Sequence, residues 1–293
     1  LPCRARFGIA AGGRAPNFER EEIPVPDTSA QLRHELAVAN RILGYEGVID
    51  AFGHVSIRHP GDADRYLLAR SRAPALVEPD DILEFTLDSE PVKPPTVQLY
   101  AERVIHGEIY KARPDVLAVC HHHAAAIMPF CISGDPVVPV FHLGAAMGPV
   151  APFWDSRDDF GDTNLLVVKP EEGASLARAL GSQSMVLMRR HGATVVARSL
   201  RELVFRAIYS CDNARYLSEA KRLGHFGPLT PGEIAMAQSL YERPNTHSRA
   251  WEYWATRLAK RGEMPAAPRA GKAAPAKKKA AARPQTPKGR KRR

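Results

Sequence analysis

Nothing in this 293-residue chain is apolar for long enough to cross a bilayer as a helix, so a membrane protein of that kind is not expected. The opening LPCRARFGIAAGGRAP has basic and small residues but no solid apolar stretch, and is not read as a signal peptide. Cysteine is scarce. Cys3, Cys120, Cys131 and Cys211 are scattered, with no C-x-x-C pair. Without a disulfide pattern or an export signal, a reducing cytoplasm is the expected compartment. Glycine fingerprints of the dinucleotide and P-loop types are absent, which leaves phosphate-cofactor folds without support. There is no internal repeat. Acid is missing from Met264 to Arg293, where 11 Lys or Arg stand with no Asp or Glu. Removing them leaves 30 basic against 32 acidic residues, so the formal charge of +9 belongs to the tail and the body carries about −2. No aromatic residue is interleaved in that tail, so base stacking is unsupported and nucleic acid is not an expected partner.

What is present is enough apolar residue, 44% of the chain, for a large core. Residues 1–27 read as a loose Gly- and Pro-rich arm, 28–262 as the folded domain, and 263–293 as a disordered basic tail. Thr28 or Ser29 can cap a helix over 30–46, with Leu32, Leu36, Ala39, Ile42 and Leu43 as its buried stripe and Gly47 as its stop. Strands are expected in VIDAFGHVSIR and DRYLLARS. A long helix is expected over TVQLYAERVIHGEIYKARPDV, ended by Pro114. APFWDSRDDFGDTNLLVV reads as a loop with a strand at its end, and EEGASLARALG as a short helix. SMVLMRRHGATVVAR reads as two strands turning at His191-Gly192. Ser199 with Glu202 three residues on caps a long amphipathic helix, and two further helices follow.

Residues 117–127, LAVCHHHAAAI, read as a buried strand leaving the core. Side chains alternate along a strand, so His121 and His123 share one face and His122 takes the other. Two imidazoles two residues apart on one face supply half a metal site. A catalytic metal usually has three protein ligands and an open position, and the candidates for the third are His54, His106, His142 and His191. Glu102 and His106, four apart on the expected helix, would share a face. A carboxylate beside a divalent ion is suited to moving protons.

The order Glu102, His106, Ile109-Tyr110, Arg113-Pro114-Asp115-Val116, His121-x-His123 and then His191-Gly192 resembles the class II aldolase/adducin family over roughly residues 30–240. The resemblance implies an α/β fold, a three-layer α/β/α arrangement with a central, mostly antiparallel sheet. It also implies a homotetramer with sites near subunit interfaces, and a divalent metal (Zn2+ or Mn2+) on His121, His123 and His191 with Glu102 as acid/base.

The departures bear on substrate. Sugar-phosphate aldolases of the family carry GN-x-S on the first strand and a serine pair before the acid; this chain has GHVSIR, with His54 for the Asn, and Tyr100-Ala101 for the serines. A phosphate pocket of the usual kind is therefore not expected. Arg70, Ser71 and Arg72 are offered instead, and guanidinium groups bind carboxylates bidentately. His54, His106 and His142 are candidates to line the site. The pattern DAFGHVSIRHP, LLARSRAPALV, Asp81-Ile82, VFHLGAAMG and FGDTNLLV resembles the branch of the family that decarboxylates hydroxylated aromatic or heteroaromatic acids. That branch implies a small carboxylate substrate losing CO2 to give a metal-stabilised enolate, with Glu102 protonating carbon. The alternatives are a metal-dependent retro-aldol lyase on a sugar-derived or hydroxy-keto acid, and a non-catalytic adducin-like interaction module.

Overall fold

The structure, a computed structural model, describes residues 29–267 except residue 242. The arm expected over 1–27 and the tail beyond 267 lie outside the described residues. Among those described, seven strands form one sheet: β1 (His54–Arg58), β2 (Arg65–Ala69), β3 (Ile82–Thr86), β4 (Ala118–His122), β5 (Phe153–Trp154), β6 (Met185–Met188) and β7 (Gly192–Ala197). Their order is β3-β2-β1-β4-β7-β6-β5. Every neighbouring pair is antiparallel except β5 with β6.

The helices are α1 (Ser29–Tyr45), α2 (Val104–Ala112), α3 (Met128–Ser133), α4 (Ser156–Phe160), α5 (Pro170–Leu180), α6 (Leu200–Leu223), α7 (Pro231–Tyr241) and α8 (Pro244–Lys260). Two cores show how they are layered. One joins Leu36 and Leu43 of α1, Leu203 of α6, Ile234 of α7 and Trp254 of α8 to Val55, Ala118, Cys120 and Val195. The other joins Ile105 and Ile109 of α2 and Leu176 and Leu180 of α5 to Leu68, Val119, Val186 and Val196. Residues one apart on β4 and β7 thus belong to opposite cores, as the two-residue period of a strand requires. The result is the expected three-layer α/β/α sandwich with a mostly antiparallel sheet.

Two element readings change. The helix expected over 96–116 is α-helical only over Val104–Ala112. A 3-10 turn, Ala101–Arg103, precedes it, and Glu102 there is non-helical (φ −87°, ψ 18°). The strand expected at the end of 151–168 lies at its start, as β5, and parallel pairing with β6 selects it. The cap of α6 is as expected on one side: Ser199 Oγ accepts from the Glu202 N–H. The Glu202 carboxylate, however, accepts from the Arg198 N–H, one residue before the cap.

Leu43 is fully buried in the α1 core, whereas Leu223 is 91% exposed at the end of α6. Leu43→Ala should lose about 2–5 kcal/mol in urea unfolding, and Leu223→Ala should stay within about 0.5 kcal/mol of the parent.

Candidate metal centre

β4 is paired on both edges, and the pairing sets the site. In register, His54 of β1 lies opposite His121, and His121 lies opposite Thr194 of β7. These three residues share the parity of Val119 and Val196, so the row faces α2. His122 has the parity of Ala118 and Cys120, which belong to the α1 and α6 side. The alternation expected of the histidine run is therefore present.

Four side chains converge at the end of this row. Glu102, His121, His123 and His191 each offer one ligand atom, all within 4.8 Å of one another, a set able to hold a metal ion. Glu102 Oε1 lies 3.4 Å from His191 Nε2, and Oε2 lies 3.7 Å from His121 Nε2. The Nε2 atoms of His121 and His123 are 3.1 Å apart, and the rings of His123 and His191 stack at 5.1 Å. Burial, helped by the neighbouring imidazoles, holds His121 well below the usual histidine range, and burial lowers His123 too. Both are therefore neutral near pH 7.

The chemistry of this donor set fits a divalent cation. Thr194 Oγ1 donates to Met188 Sδ, so it accepts from His121 Nδ1 at 3.3 Å. That tautomer leaves the His121 Nε2 lone pair facing His123 and Glu102. Lone pairs of neutral imidazoles crowded against a carboxylate suit an electrophilic ion at their centre. Imidazole ligands alone do not choose between zinc and manganese.

Backbone detail explains why these residues meet. The kink at Glu102 carries its carboxylate off the α2 face, where Oε1 accepts the Val167 N–H at 2.9 Å. Glu102 and His106 therefore do not share a helix face as expected. His191 ends the β6–β7 turn, after Arg190 in the left-handed region (φ 52°), a conformation costing roughly 1–2 kcal/mol in a non-glycine residue. Gly192 follows, and a Cβ there would sit 2.3 Å from the His122 carbonyl oxygen and 2.8 Å from His123 Cδ2. Only glycine lets the turn close on the histidine strand.

The remaining expected site residues divide. His54 is 3% exposed, and its ring lies 5.2 Å from that of His121. His106 is fully buried and points to β1: its Nε2 is 2.6 Å from His54 Nδ1 and its Nδ1 is 2.6 Å from Ser56 Oγ. Arg70 Nε and Arg72 Nη1 each contact an Asp81 carboxylate oxygen at 2.6 Å. Ser71 is exposed and is held through its backbone N–H to the Gln98 carbonyl. Tyr100 ties this loop to the row: its hydroxyl donates to the Arg72 carbonyl, and its ring is 4.8 Å from His54. His142 is exposed on a 3-10 turn (His142–Met147), with its ring against Phe141 and its carbonyl accepting from Tyr241. The fold of one chain therefore leaves His142 out of the imidazole cluster, because that turn packs on α6 and α7 instead. A cavity of about 1230 Å3 at the opposite end of the strands is lined by Arg58, Asp115, Arg198 and Arg206, and none of the four clustered residues reaches it.

The class II aldolase and adducin N-terminal domain family matches residues 34–217. The chain belongs to the class II aldolase/adducin family. Decarboxylase TropJ of Talaromyces stipitatus is 35% identical over 240 residues, 73% of this chain and 88% of that protein. The 3,4-dihydroxyphthalate decarboxylase of Arthrobacter keyseri is 29% identical, covering 80% of this chain and 96% of its own length. Among solved structures, L-fuculose 1-phosphate aldolase from Glaciozyma antarctica superposes with a TM-score of 0.69 over 83% of this chain and 96% of its own, at 21% identity. That likeness speaks to the fold.

Ser56, Tyr110, Thr194, Val167 and Asp81 stand within motifs or strands read in the sequence, but sequence reasoning gave none of them the contact it makes here with His106, Ser56, His121, Glu102 and the arginines at 70 and 72. Ser56 carried one readable signal, as the polar residue two after His54 on a strand. Gly192→Ala should force the turn away from β4 and lower stability by about 1–3 kcal/mol. Thermal unfolding of the variant checks this; an unchanged midpoint would contradict the close approach.

Proposed function

We propose that this class II aldolase/adducin protein is a divalent-metal-dependent decarboxylase of a hydroxylated aromatic or heteroaromatic acid. The observation that carries the reading is the convergence of the Glu102 carboxylate with the imidazoles of His121, His123 and His191. The named decarboxylases among its relatives support the reaction class. His121, His123 and His191 would hold the ion, which when bound supplies a Lewis acid that draws electron density from a substrate oxygen.

The chain's own groups do the rest. The proton of the adjacent hydroxyl passes to the ring carbon that bears the carboxylate, giving the β-keto acid tautomer. As CO2 leaves, the electron pair of the carboxyl C–C bond flows through the ring to that oxygen, and the ring is aromatic again. Glu102, fixed by the Val167 N–H and 9% exposed, would carry the proton from oxygen to carbon on Oε2, the oxygen not engaged by that N–H. Arg72 is held by Asp81 through one nitrogen, which leaves its other donors for a second carboxylate of the substrate. Arg70 and Ser71 complete that loop, and His54 stands on the facing side. Assembly as a homotetramer is part of the proposal. Phe52, 70% exposed two residues before His54, is an apolar side chain that a neighbouring subunit would cover.

Two measurements test the reading. In an assay of CO2 release from ortho-hydroxy aromatic dicarboxylates, Glu102→Gln should keep its metal and lose about 10²–10⁴-fold in kcat. His121→Ala, His123→Ala and His191→Ala should lose metal, by elemental analysis, and activity together. Cleavage of a ketose phosphate to an aldehyde, with no decarboxylation of any such acid, would overturn the reading in favour of a retro-aldol lyase. A protein that takes up no divalent ion would favour the adducin-like module. Arg72→Ala should raise KM more than it lowers kcat, because a remote carboxylate is bound alike in ground and transition states.

A further inference from the structure

His54 is joined to a buried hydrogen-bonded chain that no part of the proposed chemistry has yet used. Nδ1 of His54 meets Nε2 of His106 at 2.6 Å, Nδ1 of His106 meets Ser56 Oγ at 2.6 Å, and Ser56 Oγ meets the Tyr110 hydroxyl at 2.8 Å. The geometry arises from two periods in register. His54 and Ser56 are two apart on β1 and face α2, while His106 and Tyr110 are four apart on α2 and face β1. His106 and Ser56 are fully buried, and Tyr110 is 1% exposed. Among the described residues no carboxylate contacts His106, Ser56 or the Tyr110 hydroxyl, so an imidazolium at His106 would be an uncompensated buried charge. Burial pushes His106 down to about 3, and it carries one ring proton.

One proton per group leaves the chain only two directions. In the first, His54 Nδ1–H donates to His106 Nε2, His106 Nδ1–H to Ser56, and Ser56 to Tyr110. Ser56 and Tyr110 then have two hydroxyl protons and one hydrogen bond between them, so one of the two protons has no acceptor among the described residues. In the second, Tyr110 donates to Ser56, Ser56 to His106 Nδ1, and His106 Nε2–H to His54 Nδ1. Every proton inside the chain is then used, and the one left over, on His54 Nε2, is not on an atom buried without a partner, so water or substrate can accept it. A buried polar hydrogen left unpaired costs about 1–3 kcal/mol, so the second direction dominates by roughly one to two powers of ten. It leaves the proton of His54 on Nε2, the ring nitrogen that His106 does not engage.

We propose that Tyr110, Ser56 and His106 lock His54 in the Nε2–H tautomer, making His54 a hydrogen-bond donor to an anionic substrate oxygen instead of a base or a metal ligand. The tautomer stands on the hydrogen-bonded chain alone; the contact with substrate rests on the decarboxylase reading. His54 is then a catalytic residue, and the three groups behind it are positioning residues. A donor aimed at a carboxylate or at the oxygen that gains charge as CO2 leaves stabilises that charge without consuming a proton. The assignment also separates His54 from the three imidazoles that offer lone pairs.

Neutron diffraction from deuterated crystals of the purified protein tests the tautomer directly. The expected map shows a deuteron on His54 Nε2, none on Nδ1, and the Ser56 deuteron pointing at His106. A deuteron on His54 Nδ1 would overturn the proposal. Steady-state kinetics test the role. His54→Gln, which supplies an amide N–H but no base, should keep kcat within about tenfold of the parent, whereas His54→Ala should lose about 10²–10³-fold. Equal loss in both variants would contradict a donor role. If the parent decarboxylates no hydroxyaromatic acid, the functional reading falls, and the neutron map still decides the tautomer.

Discussion

β4 is hydrogen-bonded along both edges, and the site follows from that double pairing. Its register with β1 and β7 places His54, His121 and Thr194 in one row across the sheet. A slip of one residue on either edge would turn each partner to the opposite face. The same pairing lets the β6–β7 turn close on His122 and His123 through Gly192. His191 arrives at the cluster because the turn has nowhere else to go. Packing of α2 on the same face then brings His106 to the row, and the 3-10 turn before α2 brings Glu102.

Burying so many imidazoles on one sheet is costly unless each finds a partner. Most do. His121 has Thr194 behind it, and His106 is bonded at both nitrogens. Two atoms are exceptions: His122 Nε2 and His191 Nδ1 are buried without a hydrogen-bond partner among the described residues. Each such atom costs about 1–3 kcal/mol. For His191 the cost falls at the tip of a turn that also contains a left-handed Arg190. Local strain concentrated beside a cluster of functional side chains is the pattern expected where geometry serves chemistry.

Much of this was legible in the sequence, and the limits have physical causes. The alternation follows from the period of a strand; the sheet shows it for His121 and His122, and His123, one residue past the end of β4, meets His121 through its ring nitrogen. The helix over 96–116 was too long, because an apolar period cannot register a carboxylate drawn off the helix face by a distant backbone N–H. Glu102 makes that contact with Val167, 65 residues away. The arginines at 70 and 72 were readable as charges and Asp81 as part of a motif, but their pairing was not, since Asp81 comes from a separate turn directly before β3. His142 sits in a segment whose apolar residues pack on α6 and α7, and composition could not say that its own side chain faces outward. The hydrogen-bonded chain from His54 to Tyr110 needed two elements at once. Neither β1 nor α2 announces it alone.

The four-residue cluster is the centre of the account, and anomalous diffraction tests it most directly. Crystals of the protein grown with Zn2+ or Mn2+ would be measured on either side of the metal's absorption edge. The account predicts one strong anomalous peak per chain, within about 2.0–2.2 Å of an imidazole nitrogen from each of His121, His123 and His191, with His54 outside bonding distance. A fully occupied peak elsewhere, a peak bonded to His54, or no peak at the cluster in metal-saturated crystals would contradict it.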